Sequence, residues 1–346
     1  MTLNLKKMGN CCQGPSEGHV NDMSKELKSL DGEVLFGKTD WKVSRDQRLL
    51  RTHGPSDKSS SALSAVPPEV VSTMKSPMTV LPVFDWAKCG PTDLSLPFLG
   101  PYRMENGSIY FGQFKNGLRH GKGRQIWTDG SFYEGEWQDD QTNGHGRLVH
   151  ANQEVFEGHW QNDHANGQGT YWHSTGAVYE GNWRDDAQHG FGIETWKDGY
   201  KYEGNYENGN KHGKGTFYWE TKDVYKGDFH NNKIEGYGEY HWNDGRVYKG
   251  QWKENHLSGE GEFFWVNGNY FKGHYLNEKK EGPGVFRWKD GRELHAMWRD
   301  GKATSPAKMV MPDGVETMVT PEAIENEIDD ANDSSMVPDM QSENLI

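Results

Sequence analysis

The chain has 346 residues, of which 43 are glycine and as many are aromatic (14 Trp, 15 Tyr, 14 Phe), each about one residue in eight. The excess is localised: 34 of the glycines and 12 of the tryptophans lie between Glu105 and Lys302, which excludes a doubly wound aliphatic core, since parallel sheets need runs of Val, Ile and Leu. The net charge of −13 is mostly the tail's, with one basic and ten acidic residues in 303–346; no basic footprint is left for nucleic acid, which is excluded as a partner.

From the amino terminus, Met8-Gly9-Asn10-Cys11-Cys12 has the form of an acylation leader, with Gly9 as the myristate acceptor and Cys11 or Cys12 as palmitate acceptors. Seven residues precede Met8, so Gly9 becomes N-terminal only if translation starts there, and Gln13 stands where that motif prefers Ser or Thr. A single myristoyl chain binds membranes marginally, so the adjacent cysteines would make attachment stable. No apolar run approaches the roughly 20 residues that span a bilayer, and the start lacks a secretory h-region. The expected location is the cytosol, on a membrane or its cytoskeleton. Three cysteines make neither a disulfide framework nor a four-ligand zinc site. Met23–Leu30 has the pattern of a short helix, and Gly54–Pro82, rich in Ser and Pro, that of a flexible tether. Residues 1–97 are thus expected to be a largely disordered extension.

The middle of the chain, 98–302, is periodic. Gly112, Gly135, Gly158, Gly181, Gly204, Gly227, Gly250 and Gly273 recur every 23 residues without a slip. Two residues before each stands an aromatic (Tyr110, Tyr133, Phe156 and so on to Phe271), and two after stands another (Phe114, Trp137, Trp160 to Tyr275). Nine and eleven residues after come paired glycines, from Gly121 and Gly123 to Gly282 and Gly284. Side chains at i, i+2 and i+4 share one face of a strand. Each unit therefore reads as a hairpin whose rings lie across rows of bare backbone. The expected fold class is all-β: an elongated single-layer antiparallel β-hairpin repeat array, with disordered N- and C-terminal extensions. Asp129-Gly130, Asp198-Gly199 and similar pairs between units suit tight hairpin turns.

The ends read as half units. Gly100, Tyr102 and Gly107 match a second strand lacking a first; Leu294, Ala296 and Trp298 match a first strand whose paired glycines are replaced by Ser305 and Ala307. Eighteen strands at about 4.8 Å each would extend roughly 85 Å, as in a solenoid stabilised mainly by neighbours. Residues 303–346 form an acidic tail in which Thr320-Pro321-Glu322, with Ile324 and Ile328, could start a short helix.

Tyr133-Glu134-Gly135-Glu136-Trp137, Tyr179-Glu180-Gly181-Asn182-Trp183 and the His-Gly-x-Gly runs at His120–Gly123 and His212–Gly215 resemble the MORN repeat. That resemblance covers about residues 98–302. It implies a hairpin array used as a scaffold at membranes, in cilia and in cytoskeletal structures, often dimeric, sometimes gripping a partner segment in an aromatic-lined groove; it does not imply catalysis by the repeats. His150 and His173 depart from the pattern where other units place Trp, and Gln153 and Lys222 where the turn Gly is missing. Local irregularity is expected there.

No enzymatic activity, cofactor or metal is expected. Gly209–Thr216 has a superficial likeness to a phosphate loop, but its spacing is wrong and no Ser or Thr follows the Lys. His189 and His212 occupy equivalent positions two strands apart, about 10 Å, too far to share one ion. The expected function is a scaffold that docks other proteins at the cytoplasmic face of a membrane or on a membrane-associated cytoskeleton. The candidate partner-binding rings are Tyr133, Trp137, Trp160, Tyr179, Trp183, Tyr202, Tyr225, Tyr248 and Trp252. On the opposite face, one residue before each anchor glycine, Glu134, Glu157, Glu180 and Glu203 give way to Lys226, Lys249 and Lys272. That change of sign suggests an antiparallel homodimer, or contact of the basic half with anionic phospholipid. A structural subunit of a ciliary or cortical assembly is the remaining alternative.

Overall fold

The computed structural model describes residues 82–320 and Ile328. These residues fall into two compact units that divide between Gln153 and Glu154, each an open antiparallel sheet. The first contains β1 (Phe98–Arg103), β2 (Ile109–Lys115), β3 (Leu118–Ile126), β4 (Phe132–Gln138) and β5 (Gln141–Val149). The second contains β6 (Val155–Gln161), β7 (His164–Trp172), β8 (Val178–Arg184), β9 (Ala187–Thr195), β10 (Lys201–Glu207), β11 (Asn210–Tyr218), β12 (Val224–His230), β13 (Lys233–His241), β14 (Val247–Lys253), β15 (His256–Phe264), β16 (Tyr270–Leu276), β17 (Lys279–Arg287), β18 (Glu293–Arg299), β19 (Lys302–Val310) and β20 (Glu316–Val319). Within each unit every strand pairs with the next in sequence.

The rings do bed on backbone. A β-carbon at Gly169 would stand 2.5 Å from Phe156 Cζ, and one at Gly284 2.6 Å from Phe271 Cζ. Where the ring is tyrosine its hydroxyl donates to the main-chain carbonyl three residues on, as Tyr202 does to Asn205 (3.0 Å) and Tyr248 to Gln251 (3.0 Å). Within the second unit such a ring sits edge-on between two others: Tyr202 lies 5.2 Å from Tyr206 in its own hairpin and 5.1 Å from Phe229 in the next. T-shaped pairs of this kind contribute roughly 0.5–1.5 kcal/mol each beyond burial. Packing along the repeat direction thus replaces a second layer.

The paired glycines do different work. Gly123 meets the Tyr110 ring, but Gly121 lies at φ 68° and faces the Gln113 side chain on the other side of the sheet. Its backbone conformation makes the bulge between the Gly112 and Phe114 pairings. The turns also differ from expectation. Two-residue turns close the hairpins within units, at pairs such as Asp139-Asp140 and Asn231-Asn232, where both residues have positive φ. The Asp-Gly pairs sit in longer connections, with Gly130 N–H bonded to Trp127 C=O at 3.1 Å. Asn or Asp at the second turn position reaches back one hairpin: Asp140 Oδ1 accepts from Arg119 N–H (2.7 Å) and Asn232 Oδ1 from Lys211 N–H (2.8 Å).

Several expectations need correction. Gln153 and Lys222 are not irregular: at φ 73° and 72° they adopt the conformation of the glycines they replace, and Lys222 N–H keeps the 2.9 Å turn bond to Trp219 C=O. His173 is accommodated by Glu154, whose carboxylate lies 2.8 Å from its Nε2 and accepts from the Tyr171 hydroxyl at 2.6 Å. The strands do not stop at residue 302. β18 and β19 complete a ninth hairpin, Ala307 packs in the buried row, and β20 adds a further strand. Residues 82–97, assigned above to the disordered extension, lie against the sheet. Beyond Thr320, Ile328 is helical and buried.

Candidate functional site: the two faces of the sheet

All nine rings expected to bind a partner are consumed inside the fold. Tyr133, Trp137, Trp160, Tyr179, Trp183, Tyr202, Tyr225, Tyr248 and Trp252 are 0–5% exposed. Their ring surfaces are covered by neighbouring rings and by glycine backbone, so they offer no groove. The indole N–H groups are used as well: Trp137 donates to Gly123 C=O (3.2 Å) and Trp183 to Gly169 C=O (3.1 Å). The same face holds a buried polar cluster that the pattern of rings did not announce. Lys211 Nζ lies 3.4 Å from Glu194 Oε2, which also accepts from the Tyr206 hydroxyl at 2.9 Å, and the ammonium stands 5.0 Å from the Trp196 ring centre. Burial first, then the Glu194 charge, pushes the Tyr206 hydroxyl well above its ordinary range.

The opposite face carries the residues that alternate with the rings. In the first unit it is occupied by the chain's own residues 82–97, a strap with a single 3₁₀ turn at Trp86–Lys88. Phe84 lies parallel to the His145 ring with centres 5.7 Å apart, and Cys89 Sγ reaches His145 C=O at 3.5 Å. The main chain of the strap is gripped by side chains of the sheet. Gln113 Nε2 donates to Asp93 C=O (2.6 Å), Lys122 Nζ to Trp86 C=O (3.3 Å) and Arg147 to Pro82 C=O (2.8 Å), while Gly90 N–H donates to Glu136 Oε1 (2.9 Å). Burial, followed by the nearby Glu136 charge, pushes the Cys89 thiol up to about 12.

The stripe that changes sign along this face is not two blocks of charge. Strand pairing sets Glu239 and Glu262 beside the lysines, and Lys249 bonds Glu239 at 3.2 Å while Lys272 bonds Glu262 at 3.0 Å. Only Lys226 of the three lacks such a carboxylate bond among the described residues. In the acidic half Glu134 is buried against Arg124, Glu157 is buried too and Glu203 is bonded to Lys201, which leaves Glu180 exposed. The repeat ruler follows one strand of each hairpin and so passes over the partner strand that supplies the opposite charge. Gly9, Cys11 and Cys12 lie outside the described residues. Among those residues no three His, Cys, Asp or Glu side chains converge to hold a metal ion, and no helix is long and apolar enough to cross a membrane.

The MORN-repeat family model matches eight consecutive segments: 110–132, 133–155, 156–178, 179–199, 202–224, 225–245, 248–270 and 271–291. The chain belongs to the MORN-repeat family. No curated protein matches it. Among solved structures, similarity is found to the TCP domain of Drosophila melanogaster SAS-4 (dCPAP) in complex with a proline-rich motif of Ana2 (dSTIL), at 14% identity over 45% of this chain and 86% of that one, with a TM-score of 0.32. The CPAP G-box domain is 11% identical over 58% and 94% of the two chains (TM-score 0.30), and the Danio rerio CPAP TCP10 domain 11% over 58% and 95% (TM-score 0.28). Scores this low say nothing of function. The repeats of this MORN chain are of a non-catalytic, interaction-type family.

Proposed function

We propose that this MORN protein is a non-enzymatic scaffold whose docking surface is the face of the repeats opposite the ring–Gly–ring rows, and whose N-terminal leader holds it at the cytoplasmic face of a membrane. The observation that carries the reading is the strap. A segment of peptide lies on that face and is held through its main chain by Gln113, Lys122 and Glu136, while the ring face is filled by its own side chains. On the unit beginning at Glu154 no described segment covers the same face, and Phe191 and Tyr237 are each 54% exposed. Large exposed apolar side chains on a polar face are the pattern of a contact surface. Gly9, Cys11 and Cys12 give the membrane address in this reading, because two acyl chains anchor where one does not.

The test is proximity labelling from the native locus, with intact protein, Cys11→Ser/Cys12→Ser protein and Phe191→Glu/Tyr237→Glu protein in parallel. The expected result is loss of membrane neighbours with the first variant and of soluble protein neighbours with the second. An identical labelled set for all three removes the proposal.

A further inference from the structure

Four of the side chains that hold the strap follow one another across four strands in a fixed chemical order. Gln113 is an amide, Lys122 a cation, Glu136 a carboxylate and His145 a ring, at repeat positions one and ten residues after successive anchor glycines Gly112 and Gly135. The order recurs once on the open unit. Asn205, Lys214, Asp228 and Tyr237 stand at the same positions after Gly204 and Gly227: amide, cation, carboxylate and ring again. Pairing sets Lys214 opposite Asp228 as it sets Lys122 opposite Glu136. The local geometry matches too. Glu136 Oε2 accepts from His145 N–H at 2.7 Å, and Asp228 Oδ2 accepts from Tyr237 N–H at 3.0 Å.

The two sets differ in what the remaining polar groups touch. Under the strap, Gln113, Lys122 and His145 are buried, the lysine gives its ammonium to a strap carbonyl and the second Glu136 oxygen takes a strap N–H. In the open set the Lys214 side chain is 71% exposed and closes on Asp228 Oδ1 at 2.7 Å instead of on a strap carbonyl. Tyr237 lies bare. Asn205 also turns its amide the other way, donating to Lys214 C=O at 3.2 Å, so its oxygen faces out where Gln113 presents an N–H.

The geometry points to Asn205, Lys214, Asp228 and Tyr237 as a second peptide cradle, which takes a segment of another protein with the chemistry of residues 82–97. The occupant is a non-helical stretch that lays an aromatic side chain on Tyr237, offers a main-chain carbonyl to Lys214 and a main-chain N–H to Asp228. Two of these three contacts are made to main chain, so the aromatic residue sets the specificity. The Lys214–Asp228 pair is exposed, and exposed ion pairs contribute little, so opening it to receive peptide costs little. This assignment rests on the face opposite the ring–Gly–ring rows being the docking face and names one place on it.

The probe is a fluorescent synthetic peptide of residues 82–97, titrated into the full chain and followed by anisotropy. Saturable binding is expected, at least tenfold weaker with Tyr237→Ala and with Asp228→Ala, and unchanged with Met297→Ala on the same face. Peptide with Phe84→Ala should bind at least tenfold more weakly. No saturable binding, or binding indifferent to both Tyr237→Ala and Asp228→Ala, overturns the cradle. A concentration-dependent dimer of the unliganded chain that Tyr237→Ala abolishes overturns the foreign partner in favour of a second copy. These readouts use purified protein and peptide, so they succeed or fail independently of the cellular neighbours that test the scaffold reading.

Discussion

Tyr202 lies flat against Gly215, where a β-carbon would stand 2.6 Å from its Cε2, while two residues earlier Gly213, at φ 71°, has only ordinary contacts around the same position. Gly215→Ala is therefore expected to cost about 1–3 kcal/mol through overpacking, with Gly215→Asn at least as harmful. Gly213→Asn should be the milder change at its site, because Asn tolerates the left-handed region, and Gly213→Val the harsher. Urea denaturation of the four variants gives the ranking. Equal losses for Asn at the two sites would show that the glycines share one role.

Lys222 occupies a turn at φ 72° that its repeat equivalents other than Gln153 fill with glycine. Replacing it with glycine relieves a left-handed penalty of about 1–2 kcal/mol and returns part of that as unfolded-state entropy. Lys222→Gly should stabilise the protein by up to about 1 kcal/mol, read as a rise in the denaturation midpoint.

Lys211 and Glu194 are an ion pair inside the ring layer, both largely buried. Lys211→Met leaves a carboxylate there with the Tyr206 hydroxyl as its remaining described contact, an expected loss of about 3 kcal/mol. Pairing it with Glu194→Gln should recover most of that loss, because two neutral groups replace two charged ones. A double-mutant cycle in urea tests this, and additive single effects would refute the coupling.

Burial pushes the hydroxyls of Tyr206, Tyr225 and Tyr240 far above their ordinary range, with Glu194, Asp228 and Asp223 respectively the largest charged contributors. The neutral form is the one favoured by folding. Stability from this source is complete below the unfolded tyrosine value of about 10 and declines as pH rises above it, since only the unfolded chain then releases the proton. Absorbance at 295 nm should show these rings staying protonated in native protein above pH 10 and ionising together with unfolding. A smooth titration near pH 10 with the fold intact would contradict their burial.

A period of 23 residues, read with strand parity, was enough to place every ring–Gly–ring row on one face and to identify the family, because parity and period are properties of the chain itself. That the rings bed on glycine backbone was legible as well; that this packing uses up the whole ring face was not. Trp137 and Tyr248 looked like contact surface until the neighbouring hairpins covered them. Lys249 and Lys272 looked like a basic patch until pairing brought Glu239 and Glu262 alongside. Gly121 and Gly123 looked alike until one proved to turn the backbone and the other to carry a ring. The strap was hidden for a simpler reason: residues 82–97 carry no period, and they are held by side chains far away in sequence that grip main-chain atoms common to any peptide. Local spacing along one chain determines which face a side chain takes; only the pairing of strands and the return of a distant segment decide whether that face is open.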